Sequence, residues 1–481
     1  MENNDKLPGI PRSQKQDTDQ SMENLKNMNK TAKWLLPALL LLTLSGATAA
    51  QLLPISTYKL DNGLTLVVSE DHSSPTFGLS IVYHVGFRLE PKGRTGFAHL
   101  FEHMMFEGTP NAPKGSFVKI IQGGGGSLNG STRYDYTNYI SKAPVSALEP
   151  ILWLEADRMR HLDFSKENLD NQRDVVKEEI RVNVKNKPYG LFFWTDLAAL
   201  AFDKWENAHD GYGSFVDLDN ANIEDVKRFH ATYYTPNNAV IAIAGDVDAD
   251  QVYALVNKYF GDISSAKLPP RPDVSETLNT KERFKLEMDD HATAPALAIG
   301  WKMPGPESPD YYPLAVLGDL LLGGEASLLY QKMVKEKRSM LSISGGMAWP
   351  LGNVLTIAGP SLTVAFGIYK PGSSAKQNVD AIQAVIEEVA RNGVTEERLQ
   401  AVKTKMVADY YKELAHNLNR ADYLAISQLI HGDANLVNRY PDLINRVTTG
   451  DIQRAAAKYL TIANRSWIDR QIAPQHQEKQ Q

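Results

Sequence analysis

The sequence predicts an α+β chain built from two duplicated lobes, each a mainly antiparallel sheet packed with helices. Three observations predict this. Runs with a period of two residues alternate with longer runs of helical period across most of the 481 residues. The stretch "IEDVKRFHATYYTPNNAVIAIAG" from Ile223 is echoed by "TGDIQRAAAKYLTIANRSWIDRQIA" from Thr449. Asp225 and Asp451, Tyr233 and Tyr459, Thr235 and Thr461, and Asn238 and Asn464 all fall at one offset of 226 residues, as an internal repeat requires. Between the copies, "GDISSAKLPPRPDVSET" carries three prolines among small and polar residues and reads as a linker.

The elements follow in order. "MNKTAKWLLPALLLLTLSGATAAQ" has Lys30 and Lys33, an apolar core from Trp34 to Leu44, and small residues at Ala47-Thr48-Ala49. That is a secretory leader with cleavage near Ala49 or Ala50, its apolar core short for a bilayer span. An uncleaved anchor is the competing reading, and translation starting at Met22 or Met28 would give the leader a normal length. "STYKLDNGLTLVVSED" reads as a hairpin turning at Asp61-Asn62-Gly63. "FGLSIVYHVGFR" is a strand, and "GFAHLFEHMMF" a helix. "GGGGSLNGSTRYDYTNYISKA" returns to strand alternation after a loop. "PVSALEPILWLEADRMRHL" and "KENLDNQRDVVKEEIRVNVK" are helical, and "NNAVIAIAGDV" is a buried strand. After the linker, "RFKLEMDD" and "PALAIGWKMP" are strands and "YYPLAVLGDLLLGG" is a helix.

Composition narrows the function. The net charge is −6, and no basic run is interleaved with aromatics, so neither nucleic acid nor an anionic membrane is indicated. Removing residues 1–50 takes away six Lys/Arg and five Asp/Glu, leaving 45 against 52, or −7. There is no cysteine, so thiolate ligands, disulfides and cysteine nucleophiles are all excluded. Any metal must be held by His, Asp or Glu.

One segment offers such ligands. His99 and His103 stand four apart on a predicted helix, so both imidazoles share a face, with Glu102 beside them. His-x-x-Glu-His is the inverted order of the zincin motif. A catalytic zinc takes three protein ligands, and the acid next to it can move a proton. The third ligand would come from "DVVKEEIRVNV", where Val175, Val176, Ile180 and Val184 mark the buried side and either Glu178 or Glu179 could face the site. The competing reading is two ordinary histidines on a half-buried helix. The matching helix of the second half, "YYPLAVLGDLLLGG", has no histidine, so the fold does not need them there.

These blocks resemble the pitrilysin-type inverzincin peptidases, a family that includes the mitochondrial processing peptidase and insulin-degrading enzymes. "KGRTGFAHLFEHMMFEGT" is similar to the family's signature helix and "GGSLNGSTRYDYTNY" to its Asn-Ala-x-Thr strand, with Gly130 at the alanine position. "VVKEEIR" resembles its third-ligand helix and "YYTPNNAVIAIAGDV" the strand closing its first domain; the likeness spans residues 55–475. It implies one Zn2+ per chain on His99, His103 and Glu179, with Glu102 as general base. Glu179 is preferred to Glu178 because, 76 residues past His103, it sits where the family places its ligand. Asn129 matches a residue beside the substrate strand, and its competing reading is a turn former before Gly130.

The resemblance further implies half of a clamshell whose substrate is an extended peptide. The domains would be 1–50, an N-terminal extension and signal peptide; 51–262, a zinc-bearing peptidase domain; 263–276, a linker; and 277–481, a related domain without metal ligands. Two departures stand out. The family often has a glutamate seven residues before its ligand glutamate, and here that residue is Gln172. The family's Arg and Tyr that hold the substrate carbonyl align with Lys335 and Ser342. A partner subunit supplying the missing pair favours a heterodimer over a homodimer. The expected product is an exported, periplasmic or secreted bacterial zinc endopeptidase. The alternative from another class is a non-catalytic assembly or binding subunit.

Overall fold

A computed structural model of the chain describes residues 52–474. The leader expected at residues 28–50 lies outside them, and no helix among the described residues is long and apolar enough to cross a membrane.

The first sheet holds β1 (Ser56–Lys59), β2 (Thr65–Glu70), β3 (Thr76–Tyr83), β4 (Ser127–Thr132), β5 (Thr137–Pro144) and β6 (Ala239–Gly245) in the order β1-β2-β6-β3-β5-β4. The second holds β7 (Arg283–Asp289), β8 (Ala296–Met303), β9 (Met340–Met347), β10 (Ser361–Tyr369) and β11 (Arg465–Ile472) in the order β7-β11-β8-β10-β9. Without β1 the two orders are the same. In each, one pair is parallel, β2 with β6 and β7 with β11, and the other pairs are antiparallel. The chain is α+β with two duplicated lobes. The repeat at offset 226 has a physical basis: Asn238 Nδ2 donates to the Tyr233 carbonyl at 2.8 Å, and Asn464 Nδ2 donates to the Tyr459 carbonyl at 2.8 Å. Each asparagine ties the end of a helix (Ile223–Tyr233 or Thr449–Tyr459) to the strand that follows.

The sheets are apolar where both faces are covered. Every residue of β6 and of β8 is buried; β6 is the apolar Val/Ile/Ala run that this predicts, while β8 (ALAIGWKM) also carries the buried Lys302. The helices that cover the sheets change places between lobes. Helix Thr195–Ala201, from the first half, packs Leu197, Ala198 and Ala201 against Ala296, Ala298 and Ile468 of the second sheet. Helix Asn417–His431, from the second half, lies on the first sheet, where Asp422 accepts from Ser80 Oγ and Asn138 Nδ2, both at 2.7 Å. The offset of 226 relates these two helices as well. The segment read as a linker is pinned rather than free: Glu276 bonds the buried Lys302 Nζ at 2.7 Å, and the Val274 carbonyl accepts from Asn207.

Candidate metal centre

The helix Phe97–Met104 buries Phe97, Ala98, Leu100, Phe101 and Met104 in the first core and leaves His99, Glu102 and His103 half-buried on its other side. Its start is held by Glu90, a buried carboxylate that accepts from the amides of Gly96 at 3.0 Å and Ala98 at 2.7 Å. A carboxylate at a helix N-terminus satisfies free amides and suits the helix dipole. Burial raises the Glu90 pKa, opposed by His209 and these amides. Gly96 has φ of 76°, and a Cβ there would collide with the Tyr212 carbonyl, so glycine lets the segment carrying Tyr212 lie against the start of the helix.

The helix Lys166–Ile180 starts at Ser165, whose Oγ accepts from the Asn168 amide at 3.2 Å. Leu169, Gln172, Val176 and Ile180 are its buried side. Val175, placed on that side from the sequence, is exposed, because the helix turns it away from the first core. Val184 lies beyond the helix end in a π-type turn, Arg181–Lys185, and is half-buried. Glu178 faces solvent and pairs with Arg181 at 3.0 Å. Glu179 faces the histidines.

The three side chains meet. His99 Nε2 and His103 Nε2 are 3.3 Å apart, and Glu179 Oε2 lies 3.5 Å from each. Donors at about 2.0–2.1 Å from a tetrahedral zinc stand about 3.3–3.4 Å from one another, so the donor set fits that ion. Among the described residues this is the one trio of His and acid side chains whose ligand atoms gather within 4.8 Å.

The surroundings tune the trio. Burial, then the charge of His103, brings His99 down to about 4, so this imidazole keeps its lone pair at neutral pH. Burial also lowers His103, but its bond to Glu179 and the nearby Glu102 outweigh this and raise its pKa. The bond to His103 lowers Glu179. His103 Nδ1 lies 3.2 Å from Gln172 Oε1, and Gln172 Nε2 donates to Glu107 Oε1 at 2.8 Å. The amide thus accepts from the ring and leaves Nε2 as the ligand atom, which is how an outer residue fixes a ligating tautomer. Gln172 occupies the outer position with a neutral group and passes the contact on to a carboxylate one residue further out.

Glu102 stands beside the trio. Burial raises its pKa, against the bond that Thr132 Oγ1 donates to its Oε2 at 2.7 Å. Oε1 is left toward Gly130, where a Cβ would approach within 3.0 Å. His99, Glu102 and Glu179 open on a cavity of about 200 Å³ also lined by Phe87, Gly130 to Arg133, Trp194, Tyr212 and Leu351. Burial, then the charge of Glu179, pushes Tyr212 up to about 12, so its hydroxyl stays protonated.

The other sequence-derived candidates lie apart. Asn129 is exposed within β4, opposite Ile140, so it sits in a strand rather than a turn. It does not line the cavity. β4 is the outer strand of its sheet. Lys335 lies over the Tyr330 ring at 5.4 Å, and Ser342 is exposed on the edge strand β9. Neither lines the cavity; of the second half, Leu351 does. Thr132, Tyr212, Trp194 and Glu107 were not singled out from sequence. Thr132 lies in the strand-forming stretch "GGSLNGSTRYDYTNY", and Glu107 just past the His-x-x-Glu-His helix. Tyr212 and Trp194 lie in a stretch with no periodic pattern to mark them.

Two lobes of one topology, with a His-x-x-Glu-His helix facing a carboxylate in one of them, define a chain of the zinc-protease kind. Residues 65–193 match the family model described as Insulinase (Peptidase family M16), and residues 220–406 match the one described as Peptidase M16 inactive domain. The chain belongs to peptidase family M16, the pitrilysin-like peptidases. It is similar to the zinc protease PqqE of Helicobacter pylori, 28% identical over 430 residues, covering 88% of this chain and 95% of the relative. The solved structure of a protease from Helicobacter pylori superposes with a TM-score of 0.81 at 26% identity, covering 88% of this chain and all of that one. The periplasmic protease PqqL from Escherichia coli shares the fold at 17% identity and a TM-score of 0.69, with 89% of this chain on 49% of that one.

Proposed function

We propose that the chain is an exported zinc endopeptidase that cuts extended peptides or unfolded protein segments, acting as the zinc-bearing subunit of a two-chain chamber. The carrying observation is the convergence of His99, His103 and Glu179 within 3.5 Å of one another beside Glu102. The domain limits 51–262, 263–276 and 277–481 belong to this proposal, as do the leader over residues 28–50 and the periplasmic or secreted location. The name of PqqL, a periplasmic protease, supports that location.

Zinc on the trio would supply Lewis acidity, polarising the scissile carbonyl and acidifying an attacking water. The chain's own groups do the rest. His103, oriented by Gln172, and the neutral His99 present nitrogen lone pairs, and Glu179 a carboxylate oxygen. Glu102 accepts the water's proton at Oε1 while Thr132 holds Oε2. A carboxyl raised by burial suits this task and the return of the proton to the leaving amine. The open edge of β4, carrying Asn129, offers backbone groups that an extended peptide can pair with.

The partner reading has its own support. Lys335 and Ser342 lie away from the cavity, and the chain spans about half of PqqL. A homologous second chain would complete the chamber and supply the missing carbonyl-holding pair. The test is to purify the chain alone and with any homologous chain from its host, then measure zinc and hydrolysis of an unstructured peptide. One zinc per chain and turnover that needs the second chain are expected. Full turnover by the chain alone removes the heterodimer. Zinc-free, inactive protein in both preparations favours a non-catalytic subunit, a reading to which the match of residues 220–406 to an inactive domain lends support.

A further inference from the structure

The second sheet ends in an open strand. β7 pairs with β11 on one side and has no strand neighbour on the other among the described residues. Phe284, Leu286 and Met288 point to one face of it and are 53%, 52% and 56% exposed. A long apolar edge of this kind is unusual, because free backbone groups beside apolar side chains recruit another strand. The first lobe shows what normally happens. Its matching strand β2 is paired along its outer edge by β1, and its Leu66, Val67 and Val68 are buried.

The sequence of β7 names the strand that fits. It reads Arg-Phe-Lys-Leu-Glu-Met-Asp, with cations before Leu286 and anions after it. Turned antiparallel on itself about Leu286, it sets Lys285 opposite Glu287, Phe284 opposite Met288 and Leu286 opposite itself. Arg283 and Asp289 would also oppose each other, but both have partners at home: Arg283 on Asp203, and Asp289 on the amides of Tyr189, His291 and Ala292. The charge match therefore rests on Lys285 and Glu287. Within one chain these two touch at 2.6 Å, and Glu287 also holds Arg470. Lys285 is 51% exposed and can reach across, whereas Glu287 is 10% exposed, is shared with Arg470 and acts in place as the acceptor. Opposite charges facing each other across two strands favour that register, and a parallel or shifted pairing would set like charges side by side.

We infer that two copies of this chain associate by antiparallel pairing of their β7 strands about a two-fold axis at Leu286, making one ten-stranded sheet and covering the apolar row. Such a contact is isologous and closes on itself. It lies on the second sheet's outer edge, so it is independent of any partner at the metal cavity and does not rest on the proposed activity. A seven-residue strand buries less than a standard interface, so the pair should dissociate on dilution.

The absence of cysteine from the chain makes the test direct. Directly opposed residues in an antiparallel pair bring their Cα atoms to about 4.5–5.5 Å, within disulfide range. Leu286→Cys should therefore give a covalent dimer on mild oxidation. Phe284→Cys alone and Met288→Cys alone should not, since identical residues would be four positions apart, about 13 Å. An equal mixture of those two variants should cross-link. Leu286→Lys should shift the sedimentation of a concentrated sample from twice the chain mass to the chain mass while zinc content stays unchanged. The inference is overturned if Leu286→Cys cross-links no better than Phe284→Cys, or if concentrated Leu286→Lys still sediments as a dimer.

Discussion

The helices Phe97–Met104 and Tyr311–Leu322 occupy the same place in two copies of one sheet. The first is eight residues long and keeps three polar side chains half-buried toward a cavity. The second is twelve residues long, and ten of them are buried. The starts differ as well. Glu90 bonds the amides of the first helix, whereas Asp310, before the second, bonds Arg454, Lys458 and Tyr459 of the last helix. One lobe has given part of its core to a candidate metal centre, and the other has filled the same space with leucine. The lesson is that the fold is indifferent to the chemistry at this helix, so histidines there need another reason.

That contrast can be broken in four ways. The largest effect should follow Glu102→Gln. Turnover of an unstructured peptide should fall about 10²–10⁴-fold while elemental analysis still finds one zinc per chain. Retained hydrolysis would remove Glu102 from its role. The reciprocal change in the other lobe is Leu317→Ala. Leu317 is fully buried, so the chain should lose about 2–5 kcal/mol of stability in denaturant unfolding, with zinc content unaffected. Zinc loss with the helix still folded would mean the lobes are not independent in this respect.

Next is Gln172→Leu, which leaves His103 Nδ1 without its acceptor and Glu107 Oε1 without its donor, while Lys114 still holds Glu107 Oε2. Metal affinity should fall about 10–100-fold in competition with a chelator. An unchanged affinity would make Gln172 a packing residue. The smallest effect is a pH dependence in the second lobe. Burial raises Asp310, but its bonds to Lys458, Arg454 and Tyr459 outweigh this and hold its pKa below the ordinary value. A depressed acid contributes stability above its unfolded pKa, about 3.9, and loses it as pH falls through the folded value. The stability gap between the chain and Asp310→Asn should therefore be constant from pH 5 to 8 and shrink below about pH 4. A gap that widens in acid would reverse the sign.

Much of this was legible in the chain. Asn238 and Asn464 stood at a common offset because each closes the same helix–strand corner. The strands with buried faces declared themselves as apolar runs, and His99, Glu102 and His103 shared a helix face by spacing alone. The choice between Glu178 and Glu179 was not legible from the helix pattern, since Val175, counted on the buried side, is exposed. It needed either the family resemblance or the packed structure. Tyr212 and Trp194 were invisible because irregular segments carry no period.

The sequence by itself determined the duplication, the candidate ligand pair His99 and His103, and the absence of any thiol, because local spacing and composition need no long-range contact to be read. Only the tertiary structure decided that Gln172 hands a contact to Glu107, and that helices Thr195–Ala201 and Asn417–His431 cross to each other's sheets. It also decided which sheet edge stays open. The physical reason is common to all of these. A side chain's partner hundreds of residues away is chosen by packing and hydrogen-bond satisfaction over the whole molecule, and neither leaves a periodic trace in the chain.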